Sequence, residues 1–226
     1  MEKKTIIIIS IIATIISMIY LLLQYFGLLR YTSMYLFSHK SYVENYTKLD
    51  RIEKTKRVVI SLTTTPEKMK HLTPVINSLL DQTVKVDLIS LVVPDEPEYE
   101  FPKNLKDSVT IFKTQQNNGC LTPLLSSLIR EEESTTIIII LGDNQIYGKD
   151  FIETLLEESV NNPTSIIYMN KKDLIDMKRV VLFKTEFFDS DFFDITENDD
   201  PEKWVNDYFK NHEKKKISYF ENYKAL

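Results

Sequence analysis

The sequence predicts an α/β domain with a mostly parallel sheet flanked by helices, preceded by one N-terminal transmembrane helix. Two observations predict this class. The run from Thr5 to Leu23 has no charged residue, and roughly 20 apolar residues are enough to span a bilayer core as a helix. Further along the chain, short β-branched runs alternate with segments of helical period, which favours parallel strands joined by crossover helices.

Residues 1–30 are interpreted as an uncleaved signal-anchor. The apolar stretch reaches Leu29 and is followed by a poor cleavage site, whereas a signal peptide has a shorter apolar core and small residues at its cleavage site. A signal peptide and a buried helix are the alternatives. Lys3 and Lys4 lie close before the segment, so the positive-inside rule favours a single-pass protein with its N-terminus inside and its C-terminal domain lumenal or extracellular.

Residues 31–56 are predicted to form a stem, and residues 57–226 the α/β domain. The stem contains several aromatic residues, which are either interfacial aromatics near the lipid headgroups or scattered tyrosines on a short helical spacer. They are Tyr31, Tyr35, Phe37, Tyr42 and Tyr46.

The strands and helices of the domain follow from hydrophobic patterning. The predicted strands are Arg57–Leu62, Asp87–Val93, Ser108–Lys113, Thr136–Leu141, Ser165–Met169 and Arg179–Phe183, with Lys216–Phe220 as a further candidate. The predicted helices are Glu67–Gln82, Leu121–Glu132, Lys149–Val160 and Trp204–Asn211. Pro74 is expected to split or kink the first of these helices. The run Thr136–Leu141 is the most hydrophobic, so it is placed at the centre of the sheet with both faces covered.

Composition excludes several classes of site. The chain has four glycines with no cluster, so neither a Walker loop nor a GxGxxG fingerprint is present. The single cysteine, Cys120, rules out an internal disulfide and a cysteine-based metal site. A net charge of -5 argues against a nucleic-acid partner.

Two loops at the carboxyl ends of predicted strands are candidates for ligand binding, because parallel sheets bind ligands at that edge. They are Thr63–Lys68 and Gly142–Gly148. A carboxylate such as Asp143 at this position can hold a divalent cation against a diphosphate. The alternative is an ordinary strand-to-helix turn, in which Gly, Asp and Asn are the usual residues.

Six short motifs occur in a fixed order between residues 57 and 220. They are Ser61–Met69 (SLTTTPEKM), Ser78–Thr83 (SLLDQT), Val93-Pro94, Gly119–Leu124 (GCLTPL), Gly142–Tyr147 (GDNQIY) and Asp199–Trp204 (DDPEKW). Taken together and in this order, they resemble the motifs of GT-A-fold nucleotide-sugar glycosyltransferases, in particular short family-2-like forms. The resemblance implies a GT-A-like fold and a nucleotide-sugar donor.

The resemblance also implies roles for individual residues. The implied substrate-binding residues are Thr63, Thr64, Pro66, Lys68, Gly119, Thr122, Asp143 and Trp204. Asp143 and Asn144 would hold Mn²⁺ or Mg²⁺ on the donor diphosphate. Asp200, with Asp199 as second choice, would act as the general base on an acceptor hydroxyl, with inversion at the anomeric carbon.

This chain departs from the family pattern at the implied donor site. Gly142 and Asn144 replace the outer aspartates of the metal-binding motif, and an asparagine brings no charge, so Mn²⁺ or Mg²⁺ binding should be weakened. Pro123 replaces a lysine that could face the donor phosphates. These changes imply altered donor use, metal-independent catalysis or lost activity.

Two of the late candidates have structural alternatives. Asp199 or Asp200 could simply cap the helix that contains Trp204 in a solvated acidic loop. Trp204 could line an acceptor sugar site, or it could anchor its helix in the core.

The function favoured by these observations is a membrane-anchored glycosyltransferase. It would move a sugar from a nucleotide-diphosphate donor to a hydroxyl of a glycan, protein or lipid. The first alternative is a catalytically inactive binding or scaffold protein derived from such an enzyme. A second is another α/β enzyme, such as a phosphotransferase, that uses Asp143 in the same position.

Overall fold

The fold is a single sheet with helices on both faces. The computed structural model describes residues 3–49, 56–169, 175, 177, 179–196 and 199–211, and the backbone of residues 216–219. The strands are β1 (Val58–Leu62), β2 (Leu88–Pro94), β3 (Thr110–Thr114), β4 (Ile137–Leu141), β5 (Ser165–Tyr168), β6 (Val181–Lys184) and β7 (Lys216–Tyr219). The helices are α1 (Lys3–Tyr25), α2 (Leu28–Leu36), α3 (His39–Lys48), α4 (Pro66–Met69), α5 (Leu72–Leu80), α6 (Thr122–Arg130), α7 (Phe151–Asn161) and α8 (Pro201–Asn211).

The strand order is β3-β2-β1-β4-β6-β5-β7. Strands β1 to β4 are parallel, β6 runs antiparallel to both β4 and β5, and β7 is parallel to β5. This mixed, mostly parallel sheet flanked by helices confirms the predicted fold class. From β1 the chain first adds β2 and β3 on one side and then β4 on the other, so the strand order reverses between β1 and β4. Such a reversal opens a crevice at the carboxyl edge of the sheet.

Strand β4 separates two hydrophobic cores, as its composition predicted. Ile137, Ile139 and Leu141 face the core that contains α5 and α7, whereas Ile138 and Ile140 face the core that contains α6 and α8. Alternate residues of a strand point to opposite faces, so a run of five apolar residues suits a strand that is covered on both sides.

Two helix boundaries differ from their predictions for identifiable reasons. The break in the predicted first helix lies at Lys70 and His71, not at Pro74, because proline is tolerated in the first turn of a helix and Pro74 lies in the first turn of α5. The last helix starts at Pro201 instead of Trp204, because the Asp200 carboxylate accepts the Lys203 amide at 2.7 Å and caps an earlier turn.

The N-terminal helix α1 is exposed except at the half-buried Leu23, and it is long and apolar enough to cross a membrane. Gly27, in the left-handed conformation with φ 68°, turns the chain from α1 into α2. A core helix of a soluble protein would bury its apolar face, and α1 buries none of its residues.

The described part of the predicted stem, through residue 49, packs on the domain. Met34 of α2 and Tyr42 of α3 are buried in the core on the α5 face. His39 is buried too, with Nδ1 at 2.6 Å from Asn77 Oδ1 and Nε2 at 2.9 Å from Ser108 Oγ. Residues 31–48 therefore differ from a free spacer, although the domain boundaries themselves stay predictions.

Tyr46 makes this packing sensitive to alkaline pH. Its hydroxyl accepts a hydrogen bond from the Val86 amide at 2.9 Å, and burial raises its pKa to about 12. An unfolded tyrosine ionises near pH 10, so the unfolded chain loses its proton first and the stabilisation from this group falls from about pH 10 to about pH 12.

Replacing Tyr46 with phenylalanine should cost about 1 kcal/mol of unfolding free energy at neutral pH, because the Val86 amide loses its partner. The difference from the unaltered protein should shrink near pH 11, since phenylalanine cannot ionise. Denaturant unfolding at both pH values measures this, and a difference that stays constant with pH would contradict the assignment.

Candidate functional site

Three predicted site residues meet in the crevice between β1 and β4. The last residues of these strands, Leu62 and Leu141, are paired in register, which brings the following loops together. Thr64 Oγ1 donates a hydrogen bond to Asp143 Oδ2 at 2.8 Å, and Lys68 Nζ contacts Asp143 Oδ1 at 3.1 Å. The Asp143 side chain is only 11% exposed, whereas that of Lys68 is 53% exposed. The crevice thus presents an ammonium group that is held on one side and open to solvent on the other.

Two residues of the SLLDQT motif hold the loop that contains Asp143. Ser78 Oγ accepts the Tyr147 amide at 3.1 Å. Gln82 donates from Nε2 to the Gly148 carbonyl at 2.6 Å and accepts the Ile152 amide on Oε1 at 3.0 Å. The motif therefore positions the loop after β4 and does not itself enter the crevice.

The Tyr147 side chain makes a hydrogen bond across the same loop. Its hydroxyl donates to the Gly142 carbonyl at 2.8 Å, and burial raises the pKa of Tyr147 well above the ordinary value. The ring packs against Phe151 with a centroid distance of 5.0 Å. Because the phenol stays neutral, it can serve as a hydrogen-bond donor that fixes the backbone next to Asp143.

Arg30 of α2 connects the N-terminal helices to this loop. Its Nε contacts Asp81 Oδ2 at 2.8 Å, and its Nη1 donates to the Tyr147 carbonyl at 2.6 Å. Arginine suits such a role because its fork can bind two acceptors in fixed directions. Arg30 was not predicted as a site residue, because both of its acceptors lie far from it in the sequence.

Tyr99 was also missed. It lies in the loop after β2, is buried, stacks on Phe101 and donates its hydroxyl to the Thr64 carbonyl at 3.1 Å. The loops after β1, β2 and β4 therefore meet at one edge of the sheet. A tyrosine in a proline-rich loop was the only sequence signal for this contact, and it does not specify a partner.

The GCLTPL turn lies beside the start of α8. Gly119 has φ +56°, and a Cβ at this position would lie 3.8 Å from Pro201 Cγ. Thr122 begins α6 and is buried, and its Oγ1 finds no hydrogen-bond partner within the described ranges. Ser61 of β1 donates its hydroxyl to the Pro123 carbonyl at 3.0 Å, which ties this turn to the central strands.

The two base candidates lie at the N-terminus of α8 and both accept local hydrogen bonds. Asp200 caps the helix through the Lys203 amide and is exposed. Asp199 Oδ2 accepts the amide and the hydroxyl of Thr196, each at 2.8 Å, and these hydrogen bonds lower the pKa of Asp199. A lowered pKa makes Asp199 a weaker base, and Asp200 keeps its place as the first candidate.

Trp204 anchors α8 to the core. Its ring packs against the core on the α6 and α8 face, and its Nε1 donates to the Phe192 carbonyl at 3.2 Å. The half-buried indole leaves only part of its surface available to a sugar.

The remaining candidates lie around the crevice. Thr63 is half-buried directly after β1, Pro66 is the first residue of α4, and Asn144 is exposed next to Asp143. The assignment of these residues to substrate binding stays a prediction.

The donor set at Asp143 does not fit Mn²⁺ or Mg²⁺ as it stands. Such cations prefer several hard oxygen ligands, and here both oxygens of one carboxylate already contact Thr64 and Lys68. Gly142 contributes no side chain. Across the described residues, no three His, Cys, Asp or Glu side chains form a group that could hold a metal ion.

Comparisons with known proteins support the fold. No family model and no curated protein matches the chain. The structure of residues 1–349 of S. aureus TarS matches with a TM-score of 0.53 at 14% identity, covering 76% of this chain and 59% of that one. A structure of 4-diphosphocytidyl-2C-methyl-D-erythritol synthase matches with a TM-score of 0.50 at 13% identity, covering 74% of this chain and 90% of that one. At these identities the likeness shows the fold alone, which is GT-A-like, and the chain spans only about three fifths of the length of the TarS fragment.

Proposed function

We propose that this chain is a membrane-anchored glycosyltransferase that transfers a sugar from a nucleotide-diphosphate donor to a hydroxyl acceptor with inversion. The observation that carries the proposal is the Thr64–Asp143–Lys68 cluster in the β1/β4 crevice, where sheets of this type bind ligands. Its cationic group faces solvent, as a site for an anionic donor requires. The resemblance of the motif series to nucleotide-sugar glycosyltransferases supports the same class of substrate.

In this reaction the acceptor oxygen forms a new bond to the anomeric carbon as the bond from that carbon to the diphosphate breaks. The acceptor proton passes to a base, for which Asp200 is the candidate, and the nucleoside diphosphate leaves with the bonding electron pair. Asp200 Oδ1 is engaged in the helix cap, but the side chain is exposed and can approach an acceptor.

The membrane part of the proposal rests on α1. Its apolar length suits a bilayer, and Lys3 and Lys4 favour a cytoplasmic N-terminus with the domain on the lumenal or extracellular side. The acceptor is then a glycan, protein or lipid hydroxyl on that side.

The test uses the full-length protein in detergent micelles with a panel of nucleotide sugars and a mixture of acceptors, with and without Mn²⁺. We expect release of nucleoside diphosphate with one donor above all others, and loss of that release when Asp200 is replaced by asparagine. Absence of both turnover and nucleotide binding across the panel would contradict the proposal.

A second candidate is a non-catalytic binding protein with the same fold. Gly142 and Asn144 favour it, because they remove two carboxylates from the position where the family pattern has them. Restoring aspartate at both positions should raise activity in a weakened enzyme, whereas a binding protein should stay inactive but retain its affinity for nucleotide.

A further inference from the structure

The crevice holds a cation of its own where the family pattern would place a metal. Lys68 Nζ lies 3.1 Å from Asp143 Oδ1, and Thr64 occupies the other carboxylate oxygen at 2.8 Å. A divalent ion bound to Asp143 would have to displace this ammonium or lie beside it, and the two like charges would repel each other.

The surroundings of Asp143 make that displacement unfavourable. The position before it is Gly142, and the exposed Asn144 after it offers only a neutral oxygen. A lone carboxylate supplies too few charged ligands to compete for a divalent cation against an ammonium group that is already in contact. One carboxylate and one lysine instead form a neutral pair in which the lysine keeps N–H groups free for another anion.

We propose that the Lys68 ammonium takes the place of the divalent cation, and that the crevice binds the diphosphate of a nucleotide donor without metal. The inference rests on the proposed function. Lys68 lies in the short helix α4, directly after the turn that leaves β1, and about half of its side chain is exposed. Asp143 keeps Nζ at the crevice, and the remaining N–H groups donate to the phosphate oxygens. As the sugar leaves, the growing negative charge on the diphosphate is stabilised by this fixed cation.

Binding measurements with nucleoside diphosphates test the inference separately from turnover. The probes are UDP, GDP, CDP and ADP, titrated into the full-length protein in detergent by calorimetry, once with EDTA and once with excess MnCl₂. We expect one probe to bind with the same affinity in both buffers. Replacing Lys68 with alanine should weaken it about 10- to 100-fold, because a charge-assisted hydrogen bond is lost.

The matched control is Lys70→Ala, since Lys70 is exposed directly after α4, makes no ion pair with Asp143 in the described part of the chain and should leave the affinity unchanged. A chain with Lys68→Ala, Gly142→Asp and Asn144→Asp combined supplies carboxylates without the ammonium group. This chain should bind Mn²⁺, seen as loss of the free-ion signal in electron paramagnetic resonance, and should bind the nucleotide only when Mn²⁺ is present.

The outcomes separate the two proposals. Nucleotide binding that requires Mn²⁺ in the unaltered protein, or that survives Lys68→Ala, overturns the metal-free site but leaves the glycosyltransferase assignment standing. No binding of any probe in either buffer counts against the proposed function itself.

Discussion

Replacing Gln82 with leucine should lower the unfolding free energy by about 3 kcal/mol and loosen the loop after β4. Gln82 is 3% exposed, and its amide pairs with the Gly148 carbonyl and the Ile152 amide. Leucine fills a similar volume, so the cost comes from two buried backbone groups that lose their partners. Denaturant unfolding of the full-length protein in detergent measures the change.

The adjacent residue provides a matched control. Thr83 also donates a hydrogen bond to the region of α7, from Oγ1 to Glu153 Oε2 at 2.7 Å, but this contact is exposed. Thr83→Ala should therefore change the unfolding free energy by no more than about 0.5 kcal/mol. Equal effects of the two substitutions would show that the loop does not depend on the Gln82 amide.

Replacing Arg30 with methionine is expected to cost about 2–3 kcal/mol of unfolding free energy. The substitution leaves Asp81 without its cation and the Tyr147 carbonyl without a donor. The side chains of Arg30 and Asp81 are 18% and 27% exposed. The expected cost is below that of a fully buried pair. One reason is this partial exposure; another is that Arg30 Nη2, itself buried, has no partner among the residues described.

Lys40→Met is the control for the loss of a positive charge in the same region. Lys40 pairs only loosely with Glu44, at 3.8 Å and with both side chains well exposed, so its loss should change stability by about 0.5 kcal/mol or less. The Arg30 variant should also bind nucleoside diphosphate more weakly, because the loop after β4 that Arg30 contacts also contains Asp143. A destabilised Arg30 variant with unchanged nucleotide affinity would mean that the contact supports the fold but not the site.

Hydrophobic patterning was sufficient to predict the sheet. The five apolar residues of β4 required cover on both faces, and the structure provides it. Local chemistry also offered a helix cap at Asp199 or Asp200 as the alternative to a base, and the structure has the cap at Asp200, where the hydrogen bond joins residues that are three positions apart. Interactions between residues that are close in the sequence can be deduced without knowing the topology.

The side-chain pairs of the crevice could not be deduced in this way. Lys68 and Asp143 were each predicted as site residues, but their contact depends on β1 and β4 being neighbours in the sheet. The contacts of Arg30 with Tyr147 and of Tyr99 with Thr64 likewise join distant parts of the chain. Nothing in the local sequence of either donor specifies its acceptor, because the acceptors are backbone carbonyls that every residue possesses.

The contact between Arg30 and Tyr147 also limits how far from the membrane the crevice of the proposed enzyme can lie. Arg30 lies in the first turn of α2, soon after α1 ends at Tyr25. With α1 in a bilayer, a residue so few positions beyond the apolar span lies on the order of 10 Å from it. The loop that contains Asp143 is bound to that residue and so cannot extend outward on a tether. Under the proposed function, acceptor hydroxyls would therefore reach the crevice close to the lipid headgroups, which favours molecules that are themselves held at the membrane surface over those that diffuse freely.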